Sequence, residues 1–162
     1  LKMVKYLETK VVLSEIPDEI TLAINITNCP CCCKGCHSNY LGQDLGKELS
    51  AEELLDLIKR NEGITCVAFM GGDSNPLEIN RLASIIREHY PELNIGWYSG
   101  RNLLSKDIQF KNFDYLKLGE YLAERGPLTN PNTNQIMYKV ERKKLKCDID
   151  FNLLNITNTF WK

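Results

Sequence analysis

Ile20-Thr21-Leu22-Ala23-Ile24-Asn25-Ile26 runs through Thr27 into Asn28-Cys29-Pro30-Cys31-Cys32-Cys33-Lys34-Gly35-Cys36-His37. The first seven residues are apolar and partly β-branched, the pattern of a strand. The cysteine-rich segment is therefore a loop at a strand's C-terminal end, where ligand sites of α/β folds gather. Downstream, Ser50-Ala51-Glu52-Glu53 has the form of a capping box, and Leu54, Leu55, Leu57 and Ile58 follow at helical spacing before Gly63. A helix over about 51–62 is expected. Residues 64–70 form a second apolar run that ends in Gly71-Gly72-Asp73, and Pro76 stands where a first helical turn begins. Ile79, Leu82, Ile85 and Ile86 make that helix amphipathic up to Tyr90-Pro91, and residues 93–98 supply another strand ending at Ser99-Gly100. A short helix near 103–109 and a strand near 114–118 continue the alternation.

Strands separated by helices imply right-handed parallel crossovers. The expected fold class is α/β, with a parallel sheet and helices on its outer face. A complete eight-fold barrel takes about 250 residues, so the 162 present fit a partial, laterally open parallel βα barrel. One domain spans 1–162. Within it, 1–19 form N-terminal edge strands, 20–118 the βα core with the cysteine loop, and 119–162 a polar loop followed by C-terminal strands, the first over 136–140. Glu141-Arg142-Lys143-Lys144 reads as a solvated turn between strands.

Twenty Lys and Arg against 21 Asp and Glu leave a formal charge of -1, which favours neither nucleic acid nor an anionic membrane as partner. No apolar stretch approaches the roughly 20 residues that span a bilayer, and no signal-peptide pattern stands at the N-terminus, so a cytoplasmic protein is expected. Five of the seven cysteines fall between positions 29 and 36. They are too crowded to pair well with one another, and a metal site in a reducing compartment explains them better than disulfides.

Cys29, Cys33 and Cys36 form C-x3-C-x2-C. Three thiolates in one loop can hold three corners of a cubane 4Fe-4S cluster and leave its fourth iron open to a further ligand. A vacant coordination position is what distinguishes catalytic metal sites from closed structural ones. Cys31 and Cys32 permit other arrangements, such as Cys29-x2-Cys32-x3-Cys36, and could cap the open iron. A structural zinc ribbon is the competing reading, but it needs a second close pair. Cys66 and Cys147 stand alone and are expected in the core.

The C-x3-C-x2-C loop after a first strand, with Gly71-Gly72-Asp73 ending the next, resembles the radical S-adenosylmethionine superfamily. The short length, Cys-Lys-Gly-Cys-His, Met-Gly-Gly-Asp, Trp97-Tyr98-Ser99-Gly100, Asn132-Thr133-Asn134-Gln135 and the terminal Ile156-Thr157-Asn158-Thr159-Phe160-Trp161-Lys162 are similar to the activating enzymes of anaerobic ribonucleoside-triphosphate reductase. The resemblance spans about 20–162. It implies two cofactors, the cluster on Cys29, Cys33 and Cys36 and S-adenosylmethionine. Gly71, Gly72 and Asp73 would receive the cofactor's amino group, and His37 and Ser99 would contact it. Lys34-Gly35 departs from the aromatic residue that many superfamily members carry there, a departure common in the activating subgroup. The implied reaction is reductive cleavage of S-adenosylmethionine to methionine and a 5'-deoxyadenosyl radical, which takes a Cα hydrogen from one glycine of the large reductase subunit. A low-potential electron donor is the second implied partner. A radical enzyme acting on a small molecule and a non-catalytic iron-sulfur or zinc module are the alternative classes.

Overall fold

The computed structural model describes residues 2–31 and 42–161. Cys32, Cys33, Cys36 and His37 lie outside the described residues. The described strands are β1 (Lys5–Val12), β2 (Thr21–Ile26), β3 (Lys47–Glu48), β4 (Cys66–Met70), β5 (Asn94–Tyr98), β6 (Tyr115–Leu118), β7 (Ile136–Lys144) and β8 (Ile149–Asn155), with helices α1 (Ala51–Arg60) and α2 (Pro76–His89) between them. They form one sheet in the order β3-β1-β2-β4-β5-β6-β7-β8. The four central strands β2, β4, β5 and β6 run parallel, and antiparallel pairs flank them on both sides. β3 pairs only with Lys5 and Tyr6 of β1, and the rest of β1 stands at the edge of the described sheet.

Both helices start where their caps place them. The Ser50 hydroxyl accepts from the Glu53 amide at 3.1 Å, and the Asn75 side chain accepts from the Glu78 amide at 3.3 Å with Pro76 in the first turn. Each helix buries one stripe, Leu54, Leu57 and Ile58 on α1 and Ile79, Leu82, Ala83 and Ile86 on α2. Alternate strand residues meet those stripes, among them Leu22, Ile24, Val67, Phe69, Ile95 and Trp97. The intervening strand residues point to the opposite face, where Cys66, Ala68, Tyr115 and Met137 join Ile16 and Leu128 in a smaller apolar cluster. Cys66 is thus a core residue, and burial pushes its thiol up.

The segment before β2 closes the N-terminal ends of the parallel strands. Ile16 is fully buried, and the Glu19 carboxylate accepts from Thr65 Oγ1 at 2.7 Å, Asn94 Nδ2 at 2.6 Å and Tyr115 Oη at 3.0 Å. Tyr98 donates its hydroxyl to the Glu15 carbonyl. These bonds pack the segment against the sheet, and Val12, Ser14 and Glu15 line the cavity on this side.

Three details differ from the sequence reading. The segment 103–109 forms no helix; a single 3-10 turn follows at Phe110–Asn112. Of that segment only Ile108 is buried, while Leu103 is 85% exposed, so no apolar stripe exists to offset the ordering of a short helix. Asn80 of α2 holds the chain there instead, its Oδ1 accepting from the Gln109 amide at 2.9 Å. Glu141-Arg142-Lys143-Lys144 is the end of β7 rather than a turn, and Cys147, expected in the core, is exposed between β7 and β8.

Arg142, itself exposed, joins an ion cluster on the buried Asp114. Asp114 accepts from Arg87 Nη2, Arg142 Nη1 and the Ile95 amide, each at 2.8 Å, and so ties α2, β5, β6 and β7 together. Removing this carboxylate leaves the Ile95 amide unpaired, while Arg87 and Arg142 keep the Leu93 and Phe113 carbonyls, a loss of about 2–4 kcal/mol. Asp114→Ala is therefore expected to lower the denaturant midpoint by that amount with the slope unchanged. A loss near the few tenths of a kcal/mol typical of surface ion pairs would show that the cluster is solvated.

Candidate iron-sulfur site

The cysteine loop leaves β2 through a tightly held base. Thr27 donates its hydroxyl to the Leu45 carbonyl at 2.7 Å and its amide to the Lys5 carbonyl at 2.9 Å. Asn28, in the left-handed region at φ 60°, donates its amide to the Gln43 carbonyl at 3.0 Å. The described start and end of the loop are thereby fastened to each other. Cys29 and Cys31 follow, both half-buried free thiols.

The neighbouring strand end is built from glycines for a steric reason. Gly71 and Gly72 have φ of +105° and +103°, backbone that other residues rarely adopt. A Cβ on Gly72 would lie 2.6 Å from the Ile79 side chain, and one on Gly71 would lie 3.1 Å from the Ile26 carbonyl oxygen. Trp97 locks the turn by donating its indole N–H to the Gly71 carbonyl at 2.7 Å. The double glycine thus swings Asp73 back over the end of the sheet.

Asp73 is only 8% exposed. Its Oδ1 accepts from the Ser99 hydroxyl at 2.5 Å and its Oδ2 from the Gly100 amide at 2.8 Å. Ser99 Oγ also accepts from the Arg101 amide at 3.0 Å, which orients it. The Cys31 thiol sits 3.5 Å from Asp73 Oδ2. Gly100 makes this approach possible, since a Cβ there would stand 2.7 Å from Cys31 Sγ. Burial, then the negative charges of Asp73 and Cys29, push the Cys31 thiol up to about 12.

These residues bound a cavity of about 670 Å³ on the sheet face opposite the helices. Cys29, Cys31, Gly71, Asp73 and Gly100 line its inner end, and Leu128 and Phe160 lie toward the other. Gly71, Asp73, Ser99, Cys29 and Gly100 are therefore one constellation. Gly72 supports it from the helix side. Sequence reasoning missed Lys117, a buried cation that lines the cavity and donates to the Ser99 and Gly119 carbonyls at 3.1 and 2.9 Å. The signal was available, because Lys117 falls on the inward phase of β6 together with Tyr115. Gln135 also lines the cavity, whereas the Asn134 side chain donates to the Glu120 carbonyl.

Residues 20–125 match the family model of the 4Fe-4S single cluster domain. The chain belongs to that family. No curated protein and no solved structure matches it. The matched span of this 4Fe-4S single cluster domain runs from β2 past β6 and so takes in the cysteine loop, the Gly71-Gly72-Asp73 turn and Lys117. Among the described residues no three His, Cys, Asp or Glu side chains converge as a metal-ligand set; the described part of the loop contributes Cys29 and Cys31. Their chemistry fits a cluster: sulfur donors at the wall of a cavity roomy enough for a small-molecule ligand beside it. No helix among the described residues is long and apolar enough to cross a membrane.

Proposed function

We propose that this 4Fe-4S single cluster domain is a radical S-adenosylmethionine enzyme, an activase that installs a glycyl radical in the large subunit of anaerobic ribonucleoside-triphosphate reductase. The observation that carries the reading is the Asp73 carboxylate, buried at the cavity wall beside the cysteine loop and fixed by Ser99 and Gly100. A cluster domain that only carried electrons would have no use for a preorganised acceptor next to a cavity of this size.

In this reading the sheet is a shortened, laterally open βα barrel with the cavity as its interior. Cys29, Cys33 and Cys36 hold the cluster and leave one iron for the cofactor. Asp73 accepts from the cofactor's amino group, Ser99 keeps that carboxylate in place, and His37 contacts the cofactor from the loop. When bound, reduced cluster and S-adenosylmethionine together supply methionine and a 5'-deoxyadenosyl radical able to take a glycine Cα hydrogen. The protein's share is to orient the sulfonium and exclude water. The electron comes from a low-potential donor, and the setting is the cytoplasm.

Anaerobic reconstitution is expected to give about four irons and four sulfides per chain. The electron paramagnetic resonance signal of the reduced cluster is expected to change on adding S-adenosylmethionine, and incubation with the reductase and dithionite to give a glycyl doublet. An unchanged cluster signal overturns cofactor coordination. Cofactor cleavage without the doublet moves the reading to a small-molecule substrate.

A further inference from the structure

The two oxygens of the Asp73 carboxylate face different surroundings. Oδ1 accepts from the Ser99 hydroxyl, and Ser99, 1% exposed, does not line the cavity. Oδ2 accepts from the Gly100 amide and the Cys31 thiol, and both of those residues do line it. A ligand in the cavity therefore meets Oδ2, and the side chain already standing on that oxygen is Cys31.

The chain places the thiol there from three neighbouring strands. Asn28, in its left-handed turn and bonded to the Gln43 carbonyl, fixes the departure from β2, and the chain bends at Pro30. Cys31 then reaches Asp73, at the end of β4, and Gly100, at the end of β5. Only a glycine at 100 leaves room for this, since a Cβ would stand 2.7 Å from Cys31 Sγ. The ends of β2, β4 and β5 thus meet at one carboxylate oxygen.

A thiol is a weak donor. An ammonium group on a carboxylate makes a charge-assisted bond, roughly twice as strong as a neutral one. We infer that Cys31 is an exchangeable cap on Asp73: it satisfies Oδ2 in the free protein, and an arriving ammonium group displaces it. The inference rests on the reading of the cavity as an S-adenosylmethionine site, and it adds a residue that sets the affinity of that site. Cysteine suits the task on both sides of the exchange. As a donor it keeps the buried carboxylate satisfied, and once displaced it behaves as a small apolar group, whereas a serine hydroxyl would then be buried without a partner. The cap also selects for charge, because a neutral group gains too little over the thiol to replace it.

Equilibrium dialysis of S-adenosylmethionine against the anaerobic holoprotein, with its cluster oxidised so that no cleavage follows, measures the exchange. Cys31→Ala removes the competitor and is expected to bind the cofactor about 2- to 10-fold more tightly than the wild type, the net strength of one neutral hydrogen bond. Cys31→Ser supplies a stronger donor and is expected to bind it about 2- to 10-fold more weakly. A thiol that only filled space would give another order, with Cys31→Ala the weaker because of the void it leaves. In the wild type, the infrared S–H stretch that Cys31→Ala lacks is expected to move to higher frequency on adding cofactor, as its carboxylate acceptor is taken. Weaker or unchanged binding in Cys31→Ala overturns the inference and leaves the cofactor site standing. A Cys31→Ala protein without iron makes the thiol a cluster ligand and overturns it as well. Binding by neither the wild type nor the variants overturns the cofactor reading itself, and the inference with it.

Discussion

Cys29→Ala is expected to reduce bound iron from about four per chain to below one, whereas Cys31→Ala leaves the cluster in place. Cys29 follows directly on the clamped base of the loop, where Thr27 and Asn28 are bonded to Leu45 and Gln43. Among the described residues, its thiol is the one that stands directly on that base. With one of three thiolates gone, two remain to hold a charged cubane, too few to resist its loss. Cys31 points elsewhere, to Asp73 and against Gly100, so its removal empties space beside the proposed cofactor. Iron and sulfide content with charge-transfer absorbance measures both. The same assay separates the ligand sets, since retention in Cys33→Ala and loss in Cys32→Ala would establish Cys29, Cys32 and Cys36 instead. A Cys31→Ala protein without iron would make Cys31 a ligand and close the open position.

The order of elements was legible because each strand in the centre of the sheet is a short apolar run stopped by polar or glycine residues, and each helix carries a side-chain cap. Ser50 and Asn75 act on local amides, so their effect is written within four residues of sequence. The failures concern long-range partners. Arg142 lies in a run of charges that is solvated as read, but it is strand rather than turn and reaches Asp114, 28 residues away. Cys147 looked apolar enough to be buried, but the turn that bears it has nothing to pack against. Leu103 and Leu104 suggested a helix that the neighbouring Asn80 side chain replaced with a tethered loop. At the site, Asp73 was identified through its glycines, while Lys117 was passed over because a lysine on a strand reads as exposed. Its role emerges only when the carbonyls of Ser99 and Gly119 are seen to converge on it.

Asp73→Asn is expected to keep fold and cluster but to weaken S-adenosylmethionine binding by roughly 10- to 150-fold, the loss of one charge-assisted hydrogen bond of about 1.5–3 kcal/mol. The amide is the same size as the carboxylate, and one orientation keeps a hydrogen bond to each of Ser99 and Gly100. Its oxygen can accept from the Gly100 amide while its NH2 donates to Ser99 Oγ, which the Arg101 amide also approaches. Most of the network is thereby kept while the charge is removed, the Ser99 hydroxyl proton alone losing its acceptor. Asp73→Ala differs, because it leaves the Gly100 amide and the Ser99 hydroxyl unpaired in a buried site and should also cost stability. Titrating cofactor against the cluster signal in the two variants separates these effects. Equal affinity in Asp73→Asn and the wild type would reduce Asp73 to a strut between β4 and β5. The cofactor's ammonium would then have to be received elsewhere on the cavity wall, where Glu8 and Glu15 are the remaining carboxylates. Glu15 lies on the segment before β2, whereas Glu8 is level with Asn25 near the end of β2 and already accepts from its side chain at 3.1 Å, so Glu8→Gln is the variant that would then lose cofactor affinity.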